Sequence, residues 1–106
     1  RVGPTARGNH GVLRGVDVKH SYLEVMYRNG RALAAYYYLP QREGDSSVRT
    51  ERAEGGLLVN FARDGRAIGI EITAPSRIDL AGLNDLLTRL GQDPVRAEDL
   101  VPLVAA

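Results

Sequence analysis

The amino-acid sequence predicts an α+β fold, a small antiparallel β-sheet of four or five strands followed by one or two C-terminal helices. Two observations support this prediction. Before Pro75, apolar residues alternate along several short segments, which is the period of a β-strand. After Pro75 the spacing becomes helical, and leucines form a single stripe. The 106 residues correspond in size to one domain.

Turn residues divide the first part of the chain into strands. Asn29-Gly30 is a strong hairpin signal because both residues tolerate positive φ, and Asp64-Gly65 suits a turn with a left-handed glycine. The charged segment "VRTERA" is expected near a sheet edge, where charge discourages unwanted pairing. Gly69 within a strand indicates a bulge or the close approach of a neighbouring side chain. The predicted strands cover about residues 18–27, 33–39, 48–53, 57–62 and 66–73.

The C-terminal part is predicted to form helices over about residues 79–90 and 94–101. Ser76 or Asp79 can cap the first helix, and Gly91 lies where a left-handed residue commonly ends one.

The second helix is expected to begin with Asp93 as its cap and Pro94 in its first position, and Pro102 should limit its length. The first helix should cover one face of the sheet. The predicted core consists of Leu57, Val59, Phe61, Ile68, Ile70, Ile72, Leu83 and Leu87.

The composition excludes several classes of site. The chain has no Cys, so disulfides, thiolate metal sites and a cysteine nucleophile are absent. The formal net charge of +1 argues against nucleic acid as a partner, and no apolar run is long enough to span a bilayer. Residues 1–15 are predicted to be a flexible arm, native or added, and residues 16–106 a single domain. The lack of cysteine and of a signal peptide favours a cytoplasmic location.

The polar residues of the predicted sheet give only weak ligand candidates. Asn60, Asp64 and Glu71 carry oxygens that suit a hard cation or a polar ligand. Asp64 is accounted for by its turn, however, and the other two by the polar face of a half-buried sheet. If that face is covered, Glu71 should pair with an arginine, Arg49, Arg52 or Arg66. We therefore predict no catalytic residue, no cofactor and no metal site, and retain Asn60 and Glu71 as weak ligand candidates.

The run Tyr36-Tyr37-Tyr38 is the strongest indication of an interaction surface. Alternation sends Tyr36 and Tyr38 to one face and Tyr37 to the other. Because one amphipathic helix covers one face, the opposite face would leave an apolar patch, which monomers tend to avoid. We expect this patch to join two copies or to dock a small protein partner. An ordinary core or surface position for these tyrosines is an equal alternative, because the short helix after Asp93 could cover the same face within one chain. The candidate interface consists of Met26, Tyr36, Tyr38 and Leu58.

Residues 23–76 resemble a small bacterial family known as domain of unknown function 2283. The blocks "VMYRNGRALAAYYYL", "VRTERAEGGLLVNF" and "DGRAIGIEITAPS" carry the resemblance, and the third is the most specific. The chain departs from the family pattern at Arg28 and Arg31, where acidic residues are usual, and at Asn60 and Ala62, which weakens any carboxylate site there. The resemblance implies a β-rich fold without an established activity, and a toxin–antitoxin-like pairing with another small protein.

Two functions of different classes remain open from the sequence. The first is a non-enzymatic protein-binding or self-associating module, which rests on the tyrosine strand and the resemblance. The alternative is a small ligand-binding or enzymatic domain that uses Glu71 with a neighbouring arginine or tyrosine.

Overall fold

The computed structural model describes residues 20–104 of the chain. The predicted arm at residues 1–15 and the first two residues of the predicted strand 18–27 lie outside this range. The described residues form five strands, two short 3₁₀ segments and two α-helices. In chain order these are β1 Tyr22–Arg28, β2 Arg31–Tyr38, β3 Arg49–Ala53, β4 Leu57–Phe61, β5 Ala67–Ile72, a 3₁₀ turn Pro75–Arg77, α1 Leu80–Arg89, a 3₁₀ turn Ala97–Leu100 and α2 Val101–Val104.

The five strands form one antiparallel sheet in the order β1-β2-β5-β4-β3. The predicted fold class is therefore confirmed. The β1–β2 turn places Asn29 and Gly30 at φ of 53° and 77°, as a type I′ hairpin turn requires. Strand β5 pairs with β2 as well as β4, so the β4–β5 hairpin lies inside the sheet and β3 lies at its edge.

The core lies between one sheet face and the C-terminal helices. All eight residues predicted for the core are buried. Strand residues of this face, including Ala35, Val59 and Ile70, cluster with leucines of α1 and of the C-terminal turn. Ile68 is buried outside this cluster, because it is the extra residue of a bulge where Asn60 pairs with Gly69 and Phe61 with Ala67.

The first helix forms as predicted. Asp79 is its N-cap and accepts a hydrogen bond from the Gly82 amide at 3.2 Å. Gly91 has φ of 74° and ends the helix in a Schellman motif, in which the Gln92 amide donates to the Leu87 carbonyl at 2.8 Å.

The second helix differs from its predicted bounds of 94–101. Asn84 of α1 bonds both the amide and the carbonyl of Val95, which holds residues 93–96 in an extended linker. Helical structure therefore begins only at Ala97, and Asp93 is not its cap. Pro102 does not limit the helix, since α2 continues past it to Val104.

Candidate functional site

The sheet face opposite α1 holds most of the residues that the sequence analysis selected. Strand pairing brings them together, because Tyr36 lies opposite Glu71, Tyr38 opposite Gly69, and Gly69 opposite Asn60. Directly opposite residues in an antiparallel pair share a face. The polar and aromatic side chains of β1, β2, β4 and β5 therefore form one continuous layer on this face.

Aromatic side chains fill the β1–β2 part of this layer. Tyr36 and Tyr38 are each only 1% exposed. The Tyr38 ring stacks on that of Tyr22 with centroids 4.5 Å apart, and it meets the Tyr36 ring edge-on at 4.6 Å. Gly69 leaves the space for the Tyr36 ring, since a Cβ atom there would overlap the phenol. The close approach predicted at Gly69 is thus confirmed.

Asn60 is the centre of a hydrogen-bond network in the same layer. Its Nδ2 donates to the Tyr36 hydroxyl at 2.8 Å and approaches Glu71 Oε2 at 3.4 Å, and its Oδ1 accepts from Thr50 Oγ1 at 2.6 Å. Asn60 is 3% exposed, so these bonds compensate for the loss of water around its amide. The network therefore engages both weak ligand candidates.

Glu24 and Tyr38 form a second polar pair in this layer. The Tyr38 hydroxyl donates to Glu24 Oε1 at 3.2 Å, and Glu24 is fully buried. Burial, together with the nearby negative charge of Glu24, raises the pKa of Tyr38 well above its ordinary value. The Tyr38 hydroxyl consequently stays protonated and able to donate at physiological pH.

The arginine predicted to pair with Glu71 lies elsewhere. Arg66 binds Asp45 and Asp64, Arg49 pairs with Glu51, and no ion pair among the described residues joins Glu71 to an arginine. The expected cross-strand ion pair was therefore wrong. The Asn60 amide takes that position, because Asn60 lies beside Glu71 on the same face.

The four residues of the candidate interface differ in exposure. Tyr36 and Tyr38 are buried within the chain, whereas Met26 and Leu58 are half-buried. An interface on this face stays a prediction, and its accessible apolar side chains are those of Met26 and Leu58.

Asp64 takes part in a clamp between two loops. Arg66 binds Asp45 through both terminal nitrogens, at 2.7 and 3.1 Å, and its Nε donates to Asp64 at 2.7 Å. Partial burial opposes ionisation of Asp45, but hydrogen bonds from Arg66 and from the Arg42 amide outweigh it and lower the pKa of Asp45. The clamp ties the loop after β2 to the β4–β5 turn.

A broad groove lies on the other face, between α1 and β3. Its volume is about 1020 Å³. Val59, Phe61, Leu86 and Leu90 contribute apolar surface, and charged side chains such as Glu51, Arg52, Asp85 and Arg89 surround them. No pattern in the sequence indicates this groove, because it depends on how far α1 extends across the sheet.

Strand β3 lies beside this groove, and no other strand within residues 20–104 pairs with its outer edge. It is the last strand of the sheet, and four of its five residues are exposed. The Thr73 amide donates to the Gly56 carbonyl, so the backbone groups of even-numbered residues in β4 point toward β5 and those of odd-numbered residues point toward β3. The odd-numbered residues of β3 lie opposite these odd-numbered residues and bond with them. The backbone amide and carbonyl groups of Thr50 and Arg52 consequently point away from the sheet.

Residues 20–104 contain no cluster of three or more His, Asp or Glu side chains arranged to hold a metal ion. Within the same range, no helix has the length and apolar character needed to cross a membrane.

Comparison with known proteins gives no relative. No protein-family model matches the chain, and no curated protein or solved structure is significantly similar to it. The family resemblance over residues 23–76 therefore stays a prediction.

Proposed function

We propose that this chain is a non-enzymatic protein-binding module that self-associates through the β3 edge of its sheet. The observation that carries the proposal is the exposed β3 edge beside a groove of about 1020 Å³. Outward backbone groups supply hydrogen bonds to an added strand, and an adjacent groove receives its side chains, which is how proteins extend a sheet across an interface.

The β3 edge is better suited to this role than the β1 edge. In β1, Glu24 and Val25 are buried, and the Tyr27 hydroxyl donates to the Pro102 carbonyl of α2. In β3, by contrast, no helix buries the strand: Arg49–Arg52 are exposed, and Ala53 at its end is half-buried.

A proline at an outward-facing amide tests the proposal. Arg52→Pro removes one amide proton from the open edge and none from the β3–β4 ladder, a position where edge strands tolerate proline. We expect sedimentation at about 100 µM, a concentration suited to weak specific association, to show a wild-type dimer and an Arg52→Pro monomer. Arg52→Ala is the matched control, because it removes the same side chain and keeps the amide proton.

Two outcomes contradict the proposal. A wild-type monomer at this concentration would reject self-association. A dimer that survives Arg52→Pro would move the interface away from β3, and the half-buried Met26 and Leu58 on the opposite face would then be tested by substitution with glutamate.

The alternative is a small ligand-binding or enzymatic domain that uses Glu71 with a neighbouring arginine or tyrosine, and the observation that favours it is that Asn60 Nδ2 contacts both Glu71 and the Tyr36 hydroxyl. Glu71→Gln keeps the shape of the side chain and removes its charge. Because Glu71 lies in β5 and not at the β3 edge, we expect this variant to self-associate like the wild type. We also propose a cytoplasmic location and a bacterial origin, as the sequence predicts. The partner could equally be a second small protein, in a toxin–antitoxin-like pairing.

A further inference from the structure

We infer that two copies of this chain pair antiparallel through β3 in one register, with Thr50 on the two-fold axis and Arg49 of each copy opposite Glu51 of the other. This inference rests on the proposed function and specifies its geometry. It follows from the charge order of β3 and from the symmetry that a strand-to-strand dimer must have.

Symmetry restricts how the two edges can meet. An antiparallel pair of identical edge strands is related by a two-fold axis perpendicular to the sheet, which leaves each face on its own side. Residues directly opposite each other share a face. A residue must therefore face a residue of equal parity, and every allowed register is centred on one residue that meets its own copy.

Charge selects among these registers. Centring the pair on Arg49, Glu51 or Arg52 places two identical charges directly opposite each other, which is destabilising. Ala53, at the end of β3, is also uncharged, but centring the pair there aligns the rest of β3 with residues 54–57 of the other copy, which lie in the turn after β3 and at the start of β4. Centring it on Thr50 places an uncharged residue on the axis and aligns β3 with β3. Arg49 then faces Glu51 of the other copy, and the axis repeats this pair. Charges that discourage edge pairing in general thus permit this one alignment.

Backbone geometry supports the same register. The Thr50 amide and carbonyl point outward, so Thr50 and its copy form a hydrogen-bonded pair across the axis. The flanking Arg49 and Glu51 positions are then non-hydrogen-bonded pairs, in which opposite Cα atoms are only about 4.5 Å apart and side chains are closest. The opposite charges therefore lie at the positions of closest side-chain approach.

The side chains concerned lie on the face that carries the groove. Arg49 pairs with Phe61 across the strands, and its guanidinium lies 4.1 Å from the centre of the Phe61 ring. Glu51 pairs with Val59 and lines the groove itself. Since the axis keeps both α1 helices on one side of the joined sheet, the grooves of the two copies adjoin at the interface.

Two single charge reversals and their mixture test the register. Arg49→Glu gives a copy with two acidic residues at these positions, and Glu51→Arg gives one with two basic residues. Each variant alone should dimerise at least about tenfold more weakly than the wild type, because both symmetric pairs change from attraction to repulsion. An equimolar mixture should form a heterodimer, since each acidic position then faces a basic one.

The heterodimer separates an interface effect from an effect within one chain. Arg49 and Glu51 also pair within a copy, and mixing cannot restore that contact. Arg63→Glu makes the same change of charge at an exposed position in the β4–β5 turn and should dimerise like the wild type. The side chains of Arg49 and Glu51 are about half exposed, at 49% and 58%, so circular dichroism should show that the two charge-reversal variants are folded.

If either charge-reversal variant fails to fold, Arg49→Gln and Glu51→Gln replace the two reversals. Each should weaken dimerisation by a smaller factor, because it removes the attraction between the two side chains and adds no repulsion. A mixture that forms no heterodimer, or variants that dimerise like the wild type, would overturn this register. If Arg52→Pro still abolished such a dimer, self-association through β3 would stand in another register. A wild-type monomer would overturn both proposals.

Discussion

Gly69→Ala is expected to destabilise the chain through one steric overlap. A Cβ atom built on Gly69 would fall on the hydroxyl, Cζ and Cε2 of Tyr36, far inside van der Waals contact. Tyr36 is 1% exposed and its hydroxyl accepts from Asn60, so the ring cannot move away without disturbing the polar layer. Gly69 is not in the left-handed region, so the substitution adds no backbone strain.

The expected magnitude is the difference between two opposing effects. Overpacking a buried site costs about 1–3 kcal/mol. Replacing glycine by alanine reduces the entropy of the unfolded chain and returns about 0.4–1 kcal/mol. We therefore expect a net loss of about 1–2 kcal/mol in the free energy of unfolding. For a domain of this size, each kcal/mol lowers Tm by about 4–8 °C.

Urea denaturation followed by circular dichroism measures this loss, and a second background identifies its cause. Tyr36→Leu removes the three ring atoms that the new methyl group would meet. In that background Gly69→Ala should cost nothing or stabilise the chain. If Gly69→Ala left the wild-type stability unchanged, or cost the same in both backgrounds, the overlap with Tyr36 would not be its cause.

Two further predictions concern the core and the loop clamp. Ile70→Ala should cost about 2–5 kcal/mol in urea denaturation, because Ile70 is fully buried among the core residues, and a loss below about 1 kcal/mol would contradict that placement. Arg66→Ala should lower the free energy of unfolding at neutral pH. It should also make this free energy decrease less steeply as the pH falls into the acid range. The folded pKa of Asp45 lies below its unfolded value of about 3.9, so the clamp stabilises above that pH and is lost as pH falls through the folded pKa. A denaturation series from about pH 7 to about pH 2 should show this difference, and an unchanged acid limb would argue against the clamp.

Local signals in the sequence were sufficient to predict most of the fold. The positive φ angles at Asn29 and Gly30 and the cap at Asp79 depend on residues next to one another, and they were predicted correctly. Gly69 indicated a bulge or a close approach, and both occur there, but the burial of Ile68 outside the main core cluster depends on the pairing of two strands and leaves no mark in the alternation of β5. The late start of the second helix was missed for a similar reason, since Asn84 holds the linker from another element.

The candidate site was predicted less completely than the fold. Alternation correctly put Tyr36 and Tyr38 on the face opposite α1, but it could not show that both are buried. Likewise, the sequence selected Asn60 and Glu71 separately, and only the pairing of β4 with β5 brings their side chains together. The β3 groove needed the position of α1. Burial and juxtaposition depend on long-range packing, which a local pattern does not contain.

The strand order also has a consequence for how the chain folds. Strands β1 and β2 form one hairpin, and β3, β4 and β5 form a meander, so each group pairs between neighbours in sequence. Among the described strands, the backbone ladders of the two groups join where β2 pairs with β5, from Ala35–Ile72 to Tyr38–Gly69. Closing the long loop between these strands costs entropy before any contact compensates for it. We therefore expect β2–β5 docking to be the slow kinetic step, which makes Tyr37 and Ile70 the positions where substitutions should retard refolding most.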